Sequence, residues 1–581
     1  MRRILVANRG EIALRVIRAC RDLGWQAIAV YSDADREAMH VAAADAAWHL
    51  GAGGYLDGDR MLAIAREAGA DGIHPGYGFL AENAAFADQV QAAGLAWVGP
   101  NSDAMRRMAS KTAARREAEA AGVPIVPGTT SDVRDVAEIR EFGARVGWPV
   151  ALKAAAGGGG KGFVVVWGPD EASEALERAR REGFNYFKDP EVYLEKYLPE
   201  PRHIEIQVLG DKSGQVIHLG ERECSIQRRH QKLVEECPSP ALDAVTRSEM
   251  GAAAVRLARR VGYDSAGTVE FLWSRGSWFF LEMNTRIQVE HAITEEVYDV
   301  DLVKAMLLVA FGGEVPPAWE GREPRGWAIE CRLNAEDPAA RFRPAPGLLT
   351  RYVRPAGPGV RVEDAYASGM RIPDQYDSMI AKIVTRGADR AEAIARMRRA
   401  LGELVVEGVP TTAGLHRLVL ARPEFEEGRL STHFIGEVLT EADLATLAGP
   451  AAIPADSVDE PVARTFAVEV SGQRFEVRVA ERGGTAPVAT RKVKAGKARG
   501  PVKTAIDGSV TAPMHATVTR VDVAPGAVVA AGQRLLVLEA MKMEADVLAP
   551  MAGTVAELPV SAGMAVEGGQ LLVRLQPGGD A

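Results

Sequence analysis

The sequence predicts a mixed α/β protein that ends in a small all-β domain, and three observations carry that prediction. Strand and helix patterns alternate over the first 100 residues, which is typical of an open parallel sheet. A glycine run and several strongly polar, strand-like segments follow between residues 149 and 291. Finally, the segment 512–538 recurs as 549–575, and such self-similarity indicates two related β-units.

The composition is that of a soluble globular protein, and the 581 residues leave room for three or four domains. The net charge of −9 gives no overall basic surface for nucleic acid. The apolar run at the N-terminus is too short for a signal peptide and no stretch approaches a membrane span, so we expect a cytoplasmic protein without membrane contacts. The four cysteines form no CxxC or metal-binding spacing and are expected to be reduced packing residues.

Short apolar runs in the N-terminal region predict the strands of the parallel sheet, at residues 4–7, 27–31, 72–73 and 96–98. Helical periodicity predicts helices over 11–23 and 103–121. No GxGxxG motif opens the first helix, so a dinucleotide site has little support. The segment 74–79 is a turn by composition, but it follows a strand, where open α/β sheets place ligands.

A glycine run follows an expected strand at 149–153. Glycines let the backbone fold closely over an anion, and the four in question are Gly157, Gly158, Gly159 and Gly160. Gly162 stands where a Walker loop requires Ser or Thr, so this is not a P-loop. We interpret it as a mobile phosphate lid because Lys153 and Lys161 bracket it; a flexible surface loop is the alternative. Beyond it, the segments 195–198 and 202–208 suggest a strand pair.

Patterns at 268–273 and 278–282 predict a β-hairpin. With a three-residue loop, Glu270 and Glu282 would lie opposite each other with Cβ atoms about 5 Å apart. A two-residue loop would place them on opposite faces, and the sequence leaves this open. Two facing carboxylates repel each other unless a divalent cation lies between them, and carboxylate oxygens are the ligands that Mg²⁺ selects.

A period-two series continues from the hairpin. Polar residues alternate with apolar ones at Glu282, Asn284, Arg286, Gln288 and Glu290. If the chain stays extended, all five polar groups line one face. A solvated strand face is the alternative, but the aromatic run at 278–280 favours a buried sheet whose polar groups need partners.

Lys542 lies between the two C-terminal repeats, within the tripeptide Met541-Lys542-Met543. Short Val/Leu runs broken by Gly and Pro predict a flattened barrel of two sheets, with this tripeptide at the turn that joins the repeats. An ordinary exposed lysine is the alternative interpretation. The position at the hinge of a duplicated β-domain favours a modification site.

These motifs resemble two known families. Ala-Met-Lys-Met is similar to the biotinyl domain of biotin carboxyl carrier proteins, whereas lipoyl domains of the same fold usually carry Asp-Lys-Ala. Residues 1 to about 445 resemble the biotin carboxylase family of ATP-grasp enzymes in the glycine lid and in Lys153, Glu195, His203, 228–232, Glu270, 282–291, 330–337 and 376–382. The chain departs from the family at Ala292, where proline is usual, and at Lys161, where arginine is common.

The resemblance implies an α/β fold of the ATP-grasp biotin carboxylase type. It comprises a Rossmann-like N-terminal sheet, a glycine-lidded B subdomain and an α+β C-terminal subdomain, followed by a flexible linker and an all-β biotinyl barrel. The implied domains are 1–110, 111–325, 326–445, a linker with a short hairpin at 446–505, and the carrier at 506–578. A flexible linker of about 25 residues spans on the order of 25 to 30 Å, which would let Lys542 visit two sites.

The resemblance also implies an activity, namely ATP- and bicarbonate-dependent carboxylation of biotin held on Lys542. The chain would be a ligase forming a carbon–nitrogen bond, the α-subunit of an acetyl-CoA or propionyl-CoA carboxylase of fatty acid biosynthesis. A methylcrotonyl- or geranyl-CoA type α-subunit is the alternative. The implied cofactors are covalent biotin, ATP and two Mg²⁺ or Mn²⁺ ions. The implied partners are a carboxyltransferase β-subunit, biotin protein ligase, further copies of the chain and, given the short 441–510 segment, an additional small subunit.

The family roles carry over by position. ATP would be held by Lys111, Lys153, the four lid glycines, Glu195, His203, Gln227 and His230. Bicarbonate would be bound by Lys232, Arg286, Gln288 and Val289. The metal ions would be bound by Glu270, Glu282 and Asn284. Glu290 would be the base and Arg332 would stabilise the oxyanion on biotin, which with Arg286 and Lys232 completes the catalytic set.

Two further interpretations belong to other classes. An ATP-grasp ligase with a lipoyl-type carrier is disfavoured by Met541 and Met543. A non-catalytic scaffold that only presents biotin is disfavoured by the intact set of ATP and bicarbonate residues.

Overall fold

The computed structural model of this chain describes residues 1–129, 131–154, 163–187, 190–229, 231–448, 462–470, 473–481, 508–512, 516–540, 543–567 and 569–577. The glycines of the expected lid, His230 and Lys542 lie outside these ranges. No helix within them is long and apolar enough to cross a membrane.

The N-terminal region forms the open parallel sheet that the sequence predicts. Its elements are β1 (Arg3–Val6), α1 (Gly10–Asp22), β2 (Gln26–Tyr31), α2 (Met39–Ala43), β3 (Ala46–His49), α3 (Gly58–Glu67), β4 (Gly72–His74), α4 (Ala84–Ala92) and β5 (Ala96–Trp97). The five strands pair in parallel in the order β3-β2-β1-β4-β5. Ile4, Leu5 and Val6 of the central strand are fully buried, as expected for a sheet covered on both faces.

The single helix expected over 103–121 is wrong, because the chain forms two helices there, α5 (Ser102–Met108) and α6 (Lys111–Ala120). Ser110 between them has extended backbone angles, φ −111° and ψ 144°. Its hydroxyl oxygen accepts a hydrogen bond from the amide of Ala113 at 3.1 Å. Serine competes with the helix in this way and caps a new one, so α6 begins at Lys111.

The next unit is a three-stranded antiparallel sheet with two helices. Its elements are α7 (Val136–Val146), β6 (Val150–Ala154), β7 (Phe163–Val166), α8 (Ala172–Phe187) and β8 (Val192–Lys196), and the strand order is β7-β6-β8. The strand pair expected between 195–198 and 202–208 does not form, because β8 pairs with β6 instead. Pro199 and Pro201 cannot donate ladder hydrogen bonds and Glu200 has φ +48°, so the chain turns away into another sheet.

The largest sheet crosses from the middle of the chain into its C-terminal half. The elements up to residue 334 are β9 (Arg202–Gly210), β10 (Val216–Arg228), β11 (Gln231–Cys237), α9 (Ala244–Arg260), β12 (Ala266–Ser274), β13 (Ser277–Asn284), α10 (His291–Tyr298), α11 (Leu302–Ala310) and β14 (Trp327–Asn334). They continue as β15 (Glu336–Asp337), β16 (Arg343–Pro344), β17 (Gly347–Leu348), β18 (Arg351–Val353), β19 (Val360–Asp364), β20 (Arg371–Ile372), β21 (Met379–Gly387), α12 (Arg390–Glu403), β22 (Val405–Glu407), α13 (Ala413–Leu420), α14 (Pro423–Glu426), α15 (Phe434–Val438) and α16 (Glu441–Ala445). Eight of these strands form one sheet in the order β13-β12-β9-β10-β11-β14-β21-β19. Because β11 pairs with β14, the sheet continues across residue 325, where the sequence places a domain boundary.

The segment after α16 contains a hairpin of β23 (Val462–Val470) and β24 (Gln473–Glu481). The strands are antiparallel and pair over their whole length, from Val462 opposite Glu481 to Val470 opposite Gln473. The hairpin is therefore longer than the one expected from the sequence.

The C-terminal region is the predicted two-sheet β-domain. Its strands are β25 (Ser509–Thr511), β26 (Ala516–Val521), β27 (Val528–Val529), β28 (Arg534–Ala540), β29 (Met543–Leu548), β30 (Gly553–Glu557), β31 (Ala565–Val566) and β32 (Leu571–Pro577), and they form the sheets β25-β32-β30-β27 and β29-β28-β26-β31. The repeat is visible in the backbone, since Gly526 and Gly563 have φ +85° and +87°, which glycine adopts without strain. Ala540 pairs with Met543, so the two strands that flank Lys542 are neighbours in one sheet.

Phe271 tests the packing beneath the large sheet. Its side chain is fully buried and contacts Trp278 and Phe280 edge to face. Phe271→Ala should lower the free energy of unfolding by about 3 to 5 kcal/mol because it leaves a cavity. Leu56, which is 67% exposed, provides an exposed apolar control, and Leu56→Ala should change the free energy of unfolding by less than about 0.5 kcal/mol. Urea unfolding followed by tryptophan fluorescence measures both; equal losses would contradict this account of the core.

Candidate active site

The β12–β13 hairpin brings Glu270 and Glu282 opposite each other by a route that the sequence did not reveal. Ser274 pairs with Ser277, so the loop has only two residues, and Arg275 and Gly276 have φ +50° and +83°, as two-residue hairpin turns require. Such a loop alone would separate the two carboxylates. A β-bulge next to Glu270 shifts the register by one residue and restores the pairing of Glu270 with Glu282.

Glu270 is the point where several of the sequence-predicted residues meet. Its Oε1 accepts hydrogen bonds from Lys232 Nζ at 3.0 Å and from the side-chain amides of Asn284 and Gln288 at 2.8 Å each. His203 Nε2 lies 3.0 Å from Oε2. Burial opposes the charge on Glu270, but Lys232 and His203 outweigh it and hold the pKa of this carboxyl well below its usual range.

Glu282 is half-buried and differs from Glu270 in its surroundings. Burial and the facing Glu270 carboxylate raise its pKa. No side chain of the described residues donates a hydrogen bond to it. A pair of facing carboxylates beside the Asn284 amide is a set of hard oxygen donors, which fits a divalent cation such as Mg²⁺ or Mn²⁺.

The period-two series does not stay in the sheet as far as Glu290, because regular strand ends at Asn284. The amide of Thr285 instead donates to Glu82 Oε1 at 3.2 Å, and Arg286 Nε donates to Glu82 Oε2 at 3.1 Å. This outside carboxylate draws the chain away from β12. The polar groups still converge on one site, since Gln288 reaches Glu270 and Glu290 reaches Lys232.

Glu290 lies between two cations at the N-terminal end of α10. Its Oε1 accepts a hydrogen bond from Lys232 Nζ at 2.7 Å, and its Oε2 accepts one from Arg332 Nη2 at 3.0 Å. The residue is only 2% exposed. Burial would raise its pKa, but Lys232 and Arg332 hold the pKa well below the usual range, so Glu290 is ionised.

Three residues of this network were missed by the sequence interpretation. Arg222 is fully buried and donates to Glu205 at 2.6 Å and to Gln288 at 2.7 Å. Glu205 also accepts a hydrogen bond from Lys232 at 2.5 Å. Lys382, which is also fully buried, donates to the carbonyl of Val289 at 2.8 Å. A signal existed for Glu205, which interrupts an apolar strand between Ile204 and Ile206, because a charged residue in a buried strand needs a partner.

The remaining residues predicted to bind ATP lie on neighbouring elements. Lys153 forms an ion pair with Glu195 across the three-stranded sheet, and Arg115 of α6 also approaches Glu195, at 3.4 Å. Lys111 is the first residue of α6. In the large sheet, Gln227 pairs with Lys232.

A cavity of about 390 Å³ adjoins the network. Its lining includes Arg332 of β14 and Val289 of the segment between β13 and α10. Tyr77 and Phe79 from the turn after β4 also line it. The 74–79 turn therefore lies at a ligand-sized cavity, as its place after a parallel strand predicts.

Comparison with known proteins agrees with this arrangement. Residues 1–105 match the family "Biotin carboxylase, N-terminal domain", residues 110–317 match "Carbamoyl-phosphate synthase L chain, ATP binding domain", and residues 330–437 match "Biotin carboxylase C-terminal domain". Residues 508–575 match "Biotin-requiring enzyme".

Individual relatives cover either most of the chain or about three quarters of it. The biotin-dependent acyl-coenzyme A carboxylase alpha3 subunit of Mycobacterium leprae is 44% identical over 558 residues, which is 93% of each chain. Biotin carboxylase 1 of Bacillus subtilis is 49% identical over 441 residues, 75% of this chain and 98% of that protein.

A solved structure extends the comparison to the fold. The biotin carboxylase domain of Hydrogenobacter thermophilus 2-oxoglutarate carboxylase, in complex with MgADP and bicarbonate, superimposes with a TM-score of 0.67 at 44% identity, covering 75% of this chain and 97% of that one. The predicted ATP-grasp fold class is thereby confirmed. The chain belongs to the biotin carboxylase family, as an acyl-CoA carboxylase α-subunit homologue in which the carboxylase is followed by a biotin-requiring carrier domain.

Proposed function

We propose that this chain uses ATP and bicarbonate to carboxylate biotin carried on its own Lys542. A separate carboxyltransferase subunit then transfers the carboxyl group to an acyl-CoA, with acetyl-CoA or propionyl-CoA as the acceptor. The observation that carries the first step is Glu290, which is buried and ionised between Lys232 and Arg332. Similarity to an acyl-coenzyme A carboxylase subunit over 93% of the chain supports the second. A methylcrotonyl- or geranyl-CoA carboxylase is the alternative assignment.

The phosphate end of ATP is assigned to the facing carboxylates. Glu270, Glu282 and Asn284 would hold two Mg²⁺ or Mn²⁺ ions, which offset the charge of the phosphates when bound. Lys111, Lys153 and the lid glycines would bind the phosphates from the other side. The nucleotide would also contact Glu195, His203, Gln227 and His230.

Bicarbonate is assigned to the cations around Glu290. Lys232, Arg286, Gln288 and the backbone of Val289 would bind it. Without a bound anion, the positive charges of Lys232 and Arg332 act on Glu290 and its neighbouring carboxylates alone. They lower the pKa of Glu290 and so make it a weak base. A bound anion shares these cations, so the basicity of Glu290 rises when bicarbonate is present to be deprotonated.

Biotin, when bound, supplies the ureido nitrogen that accepts the carboxyl group. Arg332 lines the cavity and would bind and orient the ureido carbonyl, where negative charge develops during the transfer. This assignment requires Arg332 to act on both Glu290 and biotin, which the two arms of its guanidinium allow.

The β23–β24 hairpin is assigned to assembly. A two-stranded ribbon is marginally stable by itself in water, and this one is nine residues long on each side. We expect it to gain stability by docking on the carboxyltransferase subunit or on an additional small subunit. Biotin protein ligase would be a second, transient partner, and further copies of the chain would complete the complex.

Lys542→Arg tests the carrier assignment. Arginine keeps the charge but cannot be biotinylated, so we expect the streptavidin signal of the purified chain to disappear. ATP hydrolysis with free biotin should persist, because the residues assigned to ATP and bicarbonate lie in the carboxylase region. A streptavidin signal in the variant would contradict the assignment of Lys542.

Glu290→Gln and Glu282→Gln separate the base from the metal ligands. Glu290→Gln should lower turnover by about 10² to 10⁴-fold at an unchanged Mg²⁺ requirement, because the amide cannot accept the proton. Glu282→Gln should raise the Mg²⁺ concentration needed for half-maximal turnover, because it weakens a hard-oxygen ligand. Both are measured as bicarbonate-dependent ATP hydrolysis during a Mg²⁺ titration. Full rescue of Glu290→Gln by excess Mg²⁺ would make Glu290 a third metal ligand instead.

Deleting residues 465–479 tests the docking role of the hairpin. We expect weaker co-purification with the carboxyltransferase subunit and normal biotin loading, because the deletion removes the ribbon and leaves the carrier intact. Deleting 483–497, a linker segment of the same length, is the matched control and should leave co-purification unchanged. Equal effects of the two deletions would show that linker length matters and the ribbon does not.

A further inference from the structure

The face of the large sheet behind Arg332 carries two buried carboxyl groups that the proposed reaction does not use. Glu235 of β11 and Glu330 of β14 are directly paired across the strands, so their side chains lie on the same face as neighbours. Both are fully buried. Glu235 Oε1 accepts a hydrogen bond from Arg332 Nε at 2.5 Å, whereas Glu290 accepts one from Nη2 of the same guanidinium.

The charges of this region leave Glu330 without a counter-ion. Arg222, Lys232, Arg332 and Lys382 each form an ion pair, and their carboxylate partners include Glu205, Glu290, Glu235 and Glu11. None of the described cations forms an ion pair with Glu330, and neither of its oxygens has a hydrogen-bond partner among the described residues. An unpaired carboxylate in such a place would cost several kcal/mol, and carboxyl groups avoid this cost by retaining a proton.

The unmatched atoms of the two residues are complementary. Glu235 Oε2 is a buried acceptor that receives no hydrogen bond from any described residue. A protonated Glu330 would be a donor, and Glu235 is its direct neighbour across the strands. We propose that Glu330 is a neutral carboxylic acid that supports Glu235, and that Glu235 is the positioning residue that holds the Arg332 guanidinium in place for biotin and Glu290.

The electrostatics of the surroundings point in the same direction. Burial raises the pKa of Glu330 well above its usual range, Lys382 and Arg332 oppose this, and Glu235 and Glu290 add to it. Burial also raises the pKa of Glu235, against the direct attraction of Arg332. Where only one of two neighbouring carboxyl groups has a cation bound to it, the other retains a proton more readily. The contact with Arg332 keeps the charge on Glu235.

Substitutions of Glu330 and Glu235 should therefore have different effects on activity. This test rests on the proposed function, in which Arg332 binds the ureido carbonyl of biotin. Gln is a neutral isostere, so Glu330→Gln should recover most of the activity that Glu330→Ala loses. Gln cannot replace the anion at the other position, so Glu235→Gln should lower kcat/KM for free biotin about tenfold or more. The KM for ATP should stay within about twofold in Glu235→Gln, because ATP is assigned to other residues.

Infrared difference spectroscopy on the full-length protein tests the protonation without requiring turnover. Wild type minus Glu330→Gln at neutral pH should show the loss of one C=O band of a protonated carboxylic acid. Loss of a carboxylate band instead, or a Glu330→Gln variant as impaired as Glu330→Ala, would overturn the proposal. An unchanged kcat/KM for biotin in Glu235→Gln would also overturn it. If the wild type itself failed to carboxylate free biotin, the proposed function would fall, while the infrared band would still decide the state of Glu330.

Discussion

The candidate active site depends on the ammonium group of Lys232, which forms ion pairs with three carboxylates. Its Nζ lies 2.5 Å from Glu205, 3.0 Å from Glu270 and 2.7 Å from Glu290. Two like charges about 4 Å apart repel by about 4 kcal/mol at the effective dielectric of a protein surface, and by more when buried. One lysine between three such groups removes that repulsion. It also joins residues of β9, β12 and the segment before α10 into one site.

The sheet determines which side chains can take part. Strands β9, β10, β11, β12 and β14 are neighbours or near neighbours in one sheet and all contribute charged groups to the network. The cations Arg222, Lys232 and Arg332 each meet a carboxylate. Arg222 is the clearest case, because it is fully buried and its guanidinium donates five hydrogen bonds, among them to Thr268 and Thr294. A site built on rigid strands in this way needs little rearrangement when a charged substrate arrives.

The network also connects the two halves of the carboxylase. Lys382 of β21 donates a hydrogen bond to the Val289 carbonyl, and its Nζ lies 3.3 Å from Glu11 Oε2 of α1. Glu11 in turn accepts a hydrogen bond from the hydroxyl of Tyr77, which lines the cavity beside Arg332. The N-terminal sheet is thereby tied to the segment that carries Glu290. This contact explains how a turn far away in the sequence comes to border the proposed biotin site.

Much of the fold could be predicted from the sequence alone, and the sequence also indicated several of the residues that the structure brings together in the candidate site. The parallel sheet follows from the alternation of strand and helix patterns, and the duplicated C-terminal domain follows from the repeat, because these patterns reflect local backbone geometry. The period-two series indicated which polar residues belong together, although the chain leaves the sheet after Asn284. Tertiary structure decided the rest. The β-bulge beside Glu270 restores a register that the two-residue loop would break, and Glu82 draws the chain out of the sheet after Asn284. The ion pairs of Arg222, Glu235 and Lys382 join strands that are far apart in the chain, and no local pattern encodes which distant charge a buried residue will meet.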